Sequence, residues 1–186
     1  MISINTDFEL YISKQFWIGL EEEDVCSHGE IYLKVGGTII TQPGVNEQWG
    51  ISESALALLR TLSKNYVSNP ENEEGLIFHG CGTILMMGCP ISIHWSVFHI
   101  EDQIILKDFI KVAVIDPKEG RIHYPGLQVT MTKKDYENII LTFALQAKNF
   151  FKNSNKKHIN DTDKEMYQSF WNEYNELLHI HSEQKG

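Results

Sequence analysis

A chain of 186 residues, with a formal net charge of −9 and 42% hydrophobic residues, has the composition of one folded domain that buries roughly 70% of its unfolded surface. No apolar run approaches the roughly 20 residues of a membrane span, and the acidic balance disfavours general affinity for nucleic acid, whose phosphates it would repel. Three cysteines, an odd number, and a start without a basic region followed by a long apolar core fit a reducing cytoplasm better than a disulfide framework.

In chain order, DFELYIS and KQFWIGL read as two short strands. GEIYLKVGGTIIT, residues 29 to 41, follows as a hairpin, because Gly36-Gly37 permits the positive φ angles of a two-residue turn. That register pairs Val35 with Thr38, Leu33 with Ile40 and Ile31 with Gln42. It gathers Ile31, Leu33, Val35 and Ile40 on one face, with Tyr32, Lys34 and Ile39 on the other. A helix is expected next over ISESALALLRTLSKNYVSNP, with Ser52 as N-cap and Ile51 stapled to Leu56. Ala55, Leu59, Leu62 and Tyr66 form its stripe, and Asn69-Pro70 ends it. ENEEG reads as a polar loop.

Ile91 to Ile100 and Ile104 to Ile115 then read as paired strands. A two-residue loop sets His99 opposite Ile104, Val97 opposite Leu106, Trp95 opposite Asp108 and Ile93 opposite Ile110. Ser92, His94, Ser96, Lys107 and Lys111 share the other face, with Phe98, Ile105 and Phe109 between them. DPKEG is a turn leading to a short strand near Arg121–Tyr124. Two helices finish the chain. Thr132 caps the first, whose stripe is Tyr136, Ile139, Ile140, Phe143, Ala147, Phe150 and Phe151. Residues 153–160 form a polar connection, and Thr162 with Glu165 forms a capping box for the last helix. Met166, Phe170, Tyr174 and Leu177 mark its docked face. Strands first and helices last predict a single α+β domain over 1–186, a mainly antiparallel sheet with one internal helix and two C-terminal helices packed on it.

Residues 75 to 99 concentrate two cysteines and three histidines. His94 and His99 lie an odd number apart, so a regular strand points them to opposite faces. Cys89, Met86 and Met87 read as core. A sharper grouping crosses the sequence: Cys26 with His28, and His79 with Cys81, are each two apart, which in extended backbone puts each pair on one side. Facing one another, the two pairs would supply the Cys₂His₂ tetrahedron that zinc favours. The spacing differs from the common zinc patterns, and satisfied polar residues in glycine-flanked loops are the plainer reading. Alternatively, Cys81 between Gly80 and Gly82 is a nucleophile with His79 or His28 as base, although no orienting carboxylate is evident. The chain contains no G-x-S-x-G, P-loop, dinucleotide fingerprint or H-E-x-x-H.

Two acidic runs remain: Glu21, Glu22, Glu23 and Asp24 (EEED), and Glu71, Glu73 and Glu74 within ENEE. Such runs are ordinarily solvated loops, and the functional reading is a negative surface that steers a basic protein. Trp17, Trp49 and Trp95 read as core rather than interface anchors. In size, acidity, element pattern and want of a catalytic signature, the chain resembles the immunity proteins of bacterial toxin–immunity systems. EEED, GEIYLKVGGTIIT, SESALALLRTL and ENEEG carry that resemblance. It implies a non-enzymatic cytoplasmic protein without cofactor that binds one cognate toxin and blocks its active site, its acidity suiting a nuclease or another basic toxin. The alternatives are a metal-dependent or thiol hydrolase built on Cys26, His28, His79 and Cys81, and a regulatory module that homodimerises through the last helix.

Overall fold

The computed structural model describes residues 7–72, 75–80, 89–114 and 119–183. Glu73, Glu74, Cys81, Met86, Met87 and most of the DPKEG turn lie outside them. Among the described residues nine strands form one antiparallel sheet: β1 Phe8–Phe16, β2 His28–Val35, β3 Thr38–Thr41, β4 Trp49–Gly50, β5 Ile77–His79, β6 Ser92–Ile100, β7 Gln103–Val112, β8 Arg121–His123 and β9 Val129–Thr132. The order is β1-β2-β4-β5-β6-β7-β8, with β3 also on β2 and β9 also on β7. The helices are α1 Ile51–Arg60, α2 Lys133–Lys152 and α3 Lys164–Glu183. Helix α1 packs beneath β5, α2 against β1, and α3 against α1 and α2. The α+β architecture with one internal and two C-terminal helices is therefore present.

Three bulges separate the observed register from the expected one. DFELYIS and the start of KQFWIGL make one strand, β1, kinked where Ser13 is left without a partner between the Ile12–Ile31 and Lys14–Glu30 pairs. In the first hairpin Val35 faces Thr38, but Leu33 faces Thr41 rather than Ile40. The extra residue turns both Ile40 and Thr41 inward. In the second, His99–Ile104 and Val97–Leu106 stand, while Ser96–Lys107 is followed by His94–Ile110 and Ile93–Lys111. Asp108 is the extra residue, at φ +60°, a left-handed backbone that Asp tolerates better than most residues.

Past that bulge each side chain changes face. Phe109 moves inside and stacks on Trp95 at 5.8 Å between ring centroids. Lys111, expected outside, is buried. Its ammonium donates to the Ile40 carbonyl at 3.0 Å and to Glu47, while Thr41 donates to the other Glu47 oxygen at 2.5 Å. Strand β3 thus reaches β7 although neither is the other's sheet neighbour, so the sheet is strongly curled. Phe8 of β1 touches both Trp95 and Tyr136 across the concave side, where the core lies.

The helix ends follow tertiary bonds more than local signals. Helix α1 is capped by Gly50, not Ser52, because β4 runs into it without a loop. The Ile51 N–H donates to the Ser27 carbonyl at 2.7 Å, so Ile51 is the first helical residue and cannot act as the staple. The helix ends at Arg60, before Asn69-Pro70. Tyr66 instead exchanges two backbone bonds with Val97, and His99 Nε2 donates to the Thr61 carbonyl at 2.8 Å. Thr132 does cap α2, accepting from the Asp135 N–H. At the entry to α3, Asn160 bonds Asp163 through backbone and side chain, in place of the expected Thr162–Glu165 box.

Gly29 decides how closely these parts approach. A Cβ there would lie 2.1 Å from the Lys14 carbonyl oxygen and 2.9 Å from Ile51 Cγ1, so backbone would have to move. Gly29→Ala is expected to lower stability by about 2–4 kcal/mol. Gly37→Ala, where a Cβ meets nothing within 4 Å, should change it by less than about 0.5 kcal/mol. Urea unfolding midpoints of the two variants check the contrast.

Candidate functional site

The cysteine–histidine constellation is divided by the sheet. Across β2, β4 and β5, His28 lies in line with Gly50 and Phe78, whereas His79 lies in line with Trp49 and Gly29. Residues in one such row share a face and adjacent rows alternate, so His28 and His79 project to opposite faces. Among the described residues no group of three or more histidine, cysteine, aspartate or glutamate side chains converges to hold a metal. Cys26, His28 and His79 are not a cluster by themselves, and Cys81 lies outside the described residues. His79 contacts Cys89 instead, with Nδ1 at 3.6 Å from Sγ. Burial, and then the field of His28, hold the His79 imidazole below its ordinary pKa.

Around the start of α1, Cys26, Ser27, His28, Ser52, Glu53 and Ser54 are all buried. Ser52 Oγ accepts from the Ser27 N–H at 3.0 Å and donates to Glu53 at 2.9 Å. Burial pushes the Glu53 carboxyl up, against the bonds it takes from Cys26, its own amide and Ser52. His28 donates through Nε2 to Asp24 at 3.3 Å, the orienting carboxylate that sequence alone does not reveal. Among the described residues Nδ1 has no hydrogen-bond partner; it faces Gly80, where a Cβ would come within 2.9 Å of it. The ring is 0% exposed. A carboxylate–imidazole pair of this kind can polarise a proton, and the imidazole of this one is buried.

The first acidic run is built into the fold. Asp24 accepts from the Ile18 and Cys26 N–H groups at 2.8 and 3.2 Å. Glu21 accepts from the Asn155 N–H at 2.8 Å through its side chain and from the Lys157 ammonium through its carbonyl. The Glu22 carbonyl accepts from the His158 N–H at 2.7 Å. Lys157 also sits 3.3 Å over the Trp17 ring; burial lowers its pKa, with Asp24, Glu21 and Glu22 opposing. Of this run only Glu23 is exposed, the other three being half-buried. In the second run Glu71 is exposed and bonded to Arg121 at 2.6 Å. Trp49 and Trp95 are core, and Trp17 packs on Phe150 and Phe151.

Sequence reading passed over the acidic face of α3. Asp161, Glu165, Glu173 and Glu176 line one broad surface recess of about 710 Å³, beside a single Lys164. It shares Glu165, Ser169 and Glu173 with a narrower groove of about 420 Å³ between α1 and α3. Arg60 of α1 bonds both Glu173 oxygens at 2.6 Å and holds that carboxyl below the usual range. The signal was available: 165, 169, 172, 173 and 176 repeat at helical spacing, alongside the apolar stripe that identified the helix.

The Asp24 bonds have a pH consequence. Burial raises the pKa of this carboxyl, but the bonds from His28, Ile18 and Cys26 outweigh it and leave it lowered. Its stabilisation is therefore complete above the ordinary aspartate pKa of about 3.9 and is lost as pH falls through the lower folded value. Asp24→Asn is expected to cost about 1–2 kcal/mol at neutral pH and to make the acid limb of stability shallower, as measured by urea unfolding across the acid range. No family model matches this chain, and no curated protein or solved structure matches it either.

Proposed function

We propose that this protein is a non-enzymatic cytoplasmic binding protein that engages a basic protein partner, in the manner of an immunity protein neutralising a cognate bacterial toxin. The supporting observation is the placement of Asp161, Glu165, Glu173 and Glu176 along one recess on a chain of net charge −9. Carboxylates grouped on one face set up a negative potential that speeds the approach of a basic surface. Glu23, exposed in the first acidic run, adds to that field, while Glu21 and Asp24 serve the fold. The homodimer alternative through the outer face of α3 would bring like charges together. The hydrolase alternative, built on Cys26, His28, His79 and Cys81, would call on His28 as a base, and that side chain is buried.

The test begins with recovery of the partner from the native cell by pull-down, followed by association kinetics at two ionic strengths. Glu165→Gln with Glu176→Gln is expected to slow association severalfold at low salt and to change dissociation less, because rim charges steer more than they anchor. Thermal stability should move by less than about 0.5 kcal/mol, since both residues are exposed. An association rate indifferent to salt in the unmodified protein would refute the electrostatic reading.

A further inference from the structure

We infer that the groove between α1 and α3 receives a partner segment that presents an arginine beside a large apolar side chain. This rests on the basic-partner reading above and specifies where and what the partner must offer. The groove already holds one guanidinium, since Arg60 meets Glu173 through two parallel bonds, the fork geometry that distinguishes arginine from lysine. Glu165 stands eight residues earlier on the same helix, about 12 Å along its axis, and lines the same groove. It is exposed, and among the described residues nothing bonds its carboxylate. A second guanidinium would complement that carboxylate.

Next to Glu165, Met166 is 38% exposed and lies on the groove wall with Leu56 and Phe170. Leu56 and Phe170 are themselves nearly covered, so the floor is already packed and Met166 is the apolar contact left for a ligand. Its unbranched thioether adapts to varied partners. The recognised unit is therefore an arginine for Glu165 and an apolar side chain for Met166. A second copy of this chain is the wrong occupant: α3 against α3 would set the exposed Glu165 and Glu176 against their equivalents, with Lys164 as the one cation among the described residues lining that recess.

The probe is the acetylated hexapeptide amide Leu-Arg-Leu-Leu-Arg-Leu, titrated at low salt into the full chain carrying labelled methionine and leucine methyls and observed by NMR. Shifts are expected at Met166 and Leu56. Replacing both arginines with citrulline, which keeps the shape and removes the charge, should weaken binding about tenfold, the size of one lost charge-assisted hydrogen bond. Glu165→Gln should weaken the arginine peptide similarly and leave the citrulline peptide unchanged. Met166→Asp should weaken both peptides, with the remaining methyl spectrum showing that the fold is kept. Glu23→Gln with Glu71→Gln should alter neither. Shifts centred near Glu23 or Glu71 would overturn the groove while sparing the basic-partner reading. Equal binding of the two peptides would overturn arginine recognition, and no binding of either peptide anywhere would overturn both readings.

Discussion

Everything in this fold depends on a two-residue strand. Trp49 and Gly50 pair with β2 on one side and β5 on the other, so along the main strand order they join the N-terminal hairpin to the rest of the sheet. Two residues make few ladder bonds, and such a strand persists only because its surroundings hold it. Trp49 is buried and its indole N–H reaches Thr41; the Ile51 amide is bound to Ser27; Ile51 fills the space that the missing side chain of Gly29 leaves open. The buried polar residues around the start of α1 follow from the same constraint. A helix that starts flush with a strand brings its first amides and its Ser52, Glu53 and Ser54 side chains under the sheet, where each polar group must find a partner or be costly. Ser54 does so by donating to the Gly50 carbonyl at 2.5 Å and accepting from the Phe78 N–H at 3.0 Å.

The curl of the sheet brings the second polar group into the interior. Without the Asp108 bulge, Lys111 would face solvent and Phe109 would not reach Trp95. With it, an ammonium ion is held between a backbone carbonyl and Glu47, and removing either partner would leave an uncompensated charge in the interior. The bulge thus closes β3 against β7 and fixes how the two halves of the sheet meet.

Charge divides between structure and surface along lines that composition does not disclose. The most concentrated acidic run, Glu21 to Asp24, ties the turn after β1 to the 155–158 connection and to His28. The Glu21 and Asp24 carboxylates accept from backbone amides, so these two contribute to stability more than to any outward field, whereas Glu23 is exposed. The acids of α3 are more dispersed in sequence yet converge in space, because a helix brings residues three and four apart onto one face. A groove with carboxylates along its rim and a methionine in its wall suits a partner that supplies both charge and apolar surface, as protein interfaces commonly do.

Much of the architecture was legible because it rests on local periodicity. The Gly36-Gly37 hairpin, the Val97–Leu106 register, the Thr132 cap and the stripe of α2 are properties of neighbouring residues, and the α+β class follows from their order. Helix α1 ran too far in the sequence reading because Leu62 and Tyr66 continue its spacing, while the backbone of Tyr66 is claimed by Val97, thirty-one residues away. The three bulges were hidden for a related reason: one extra residue reverses the facing of every later side chain, and its position is set by how the strands pack rather than by composition. The candidate site shows the same division. Pairing Cys26–His28 with His79–Cys81 was reasonable from spacing, but whether two strands present the same face depends on the strand between them, and β4 puts His28 and His79 on opposite sides. By itself the sequence determined the element types, the acidity and the apolar faces, because each is a sum over nearby residues. Only the tertiary structure decided which carboxylates are bound and which stand free, because that depends on which backbone amides and cations the fold brings within hydrogen-bond reach.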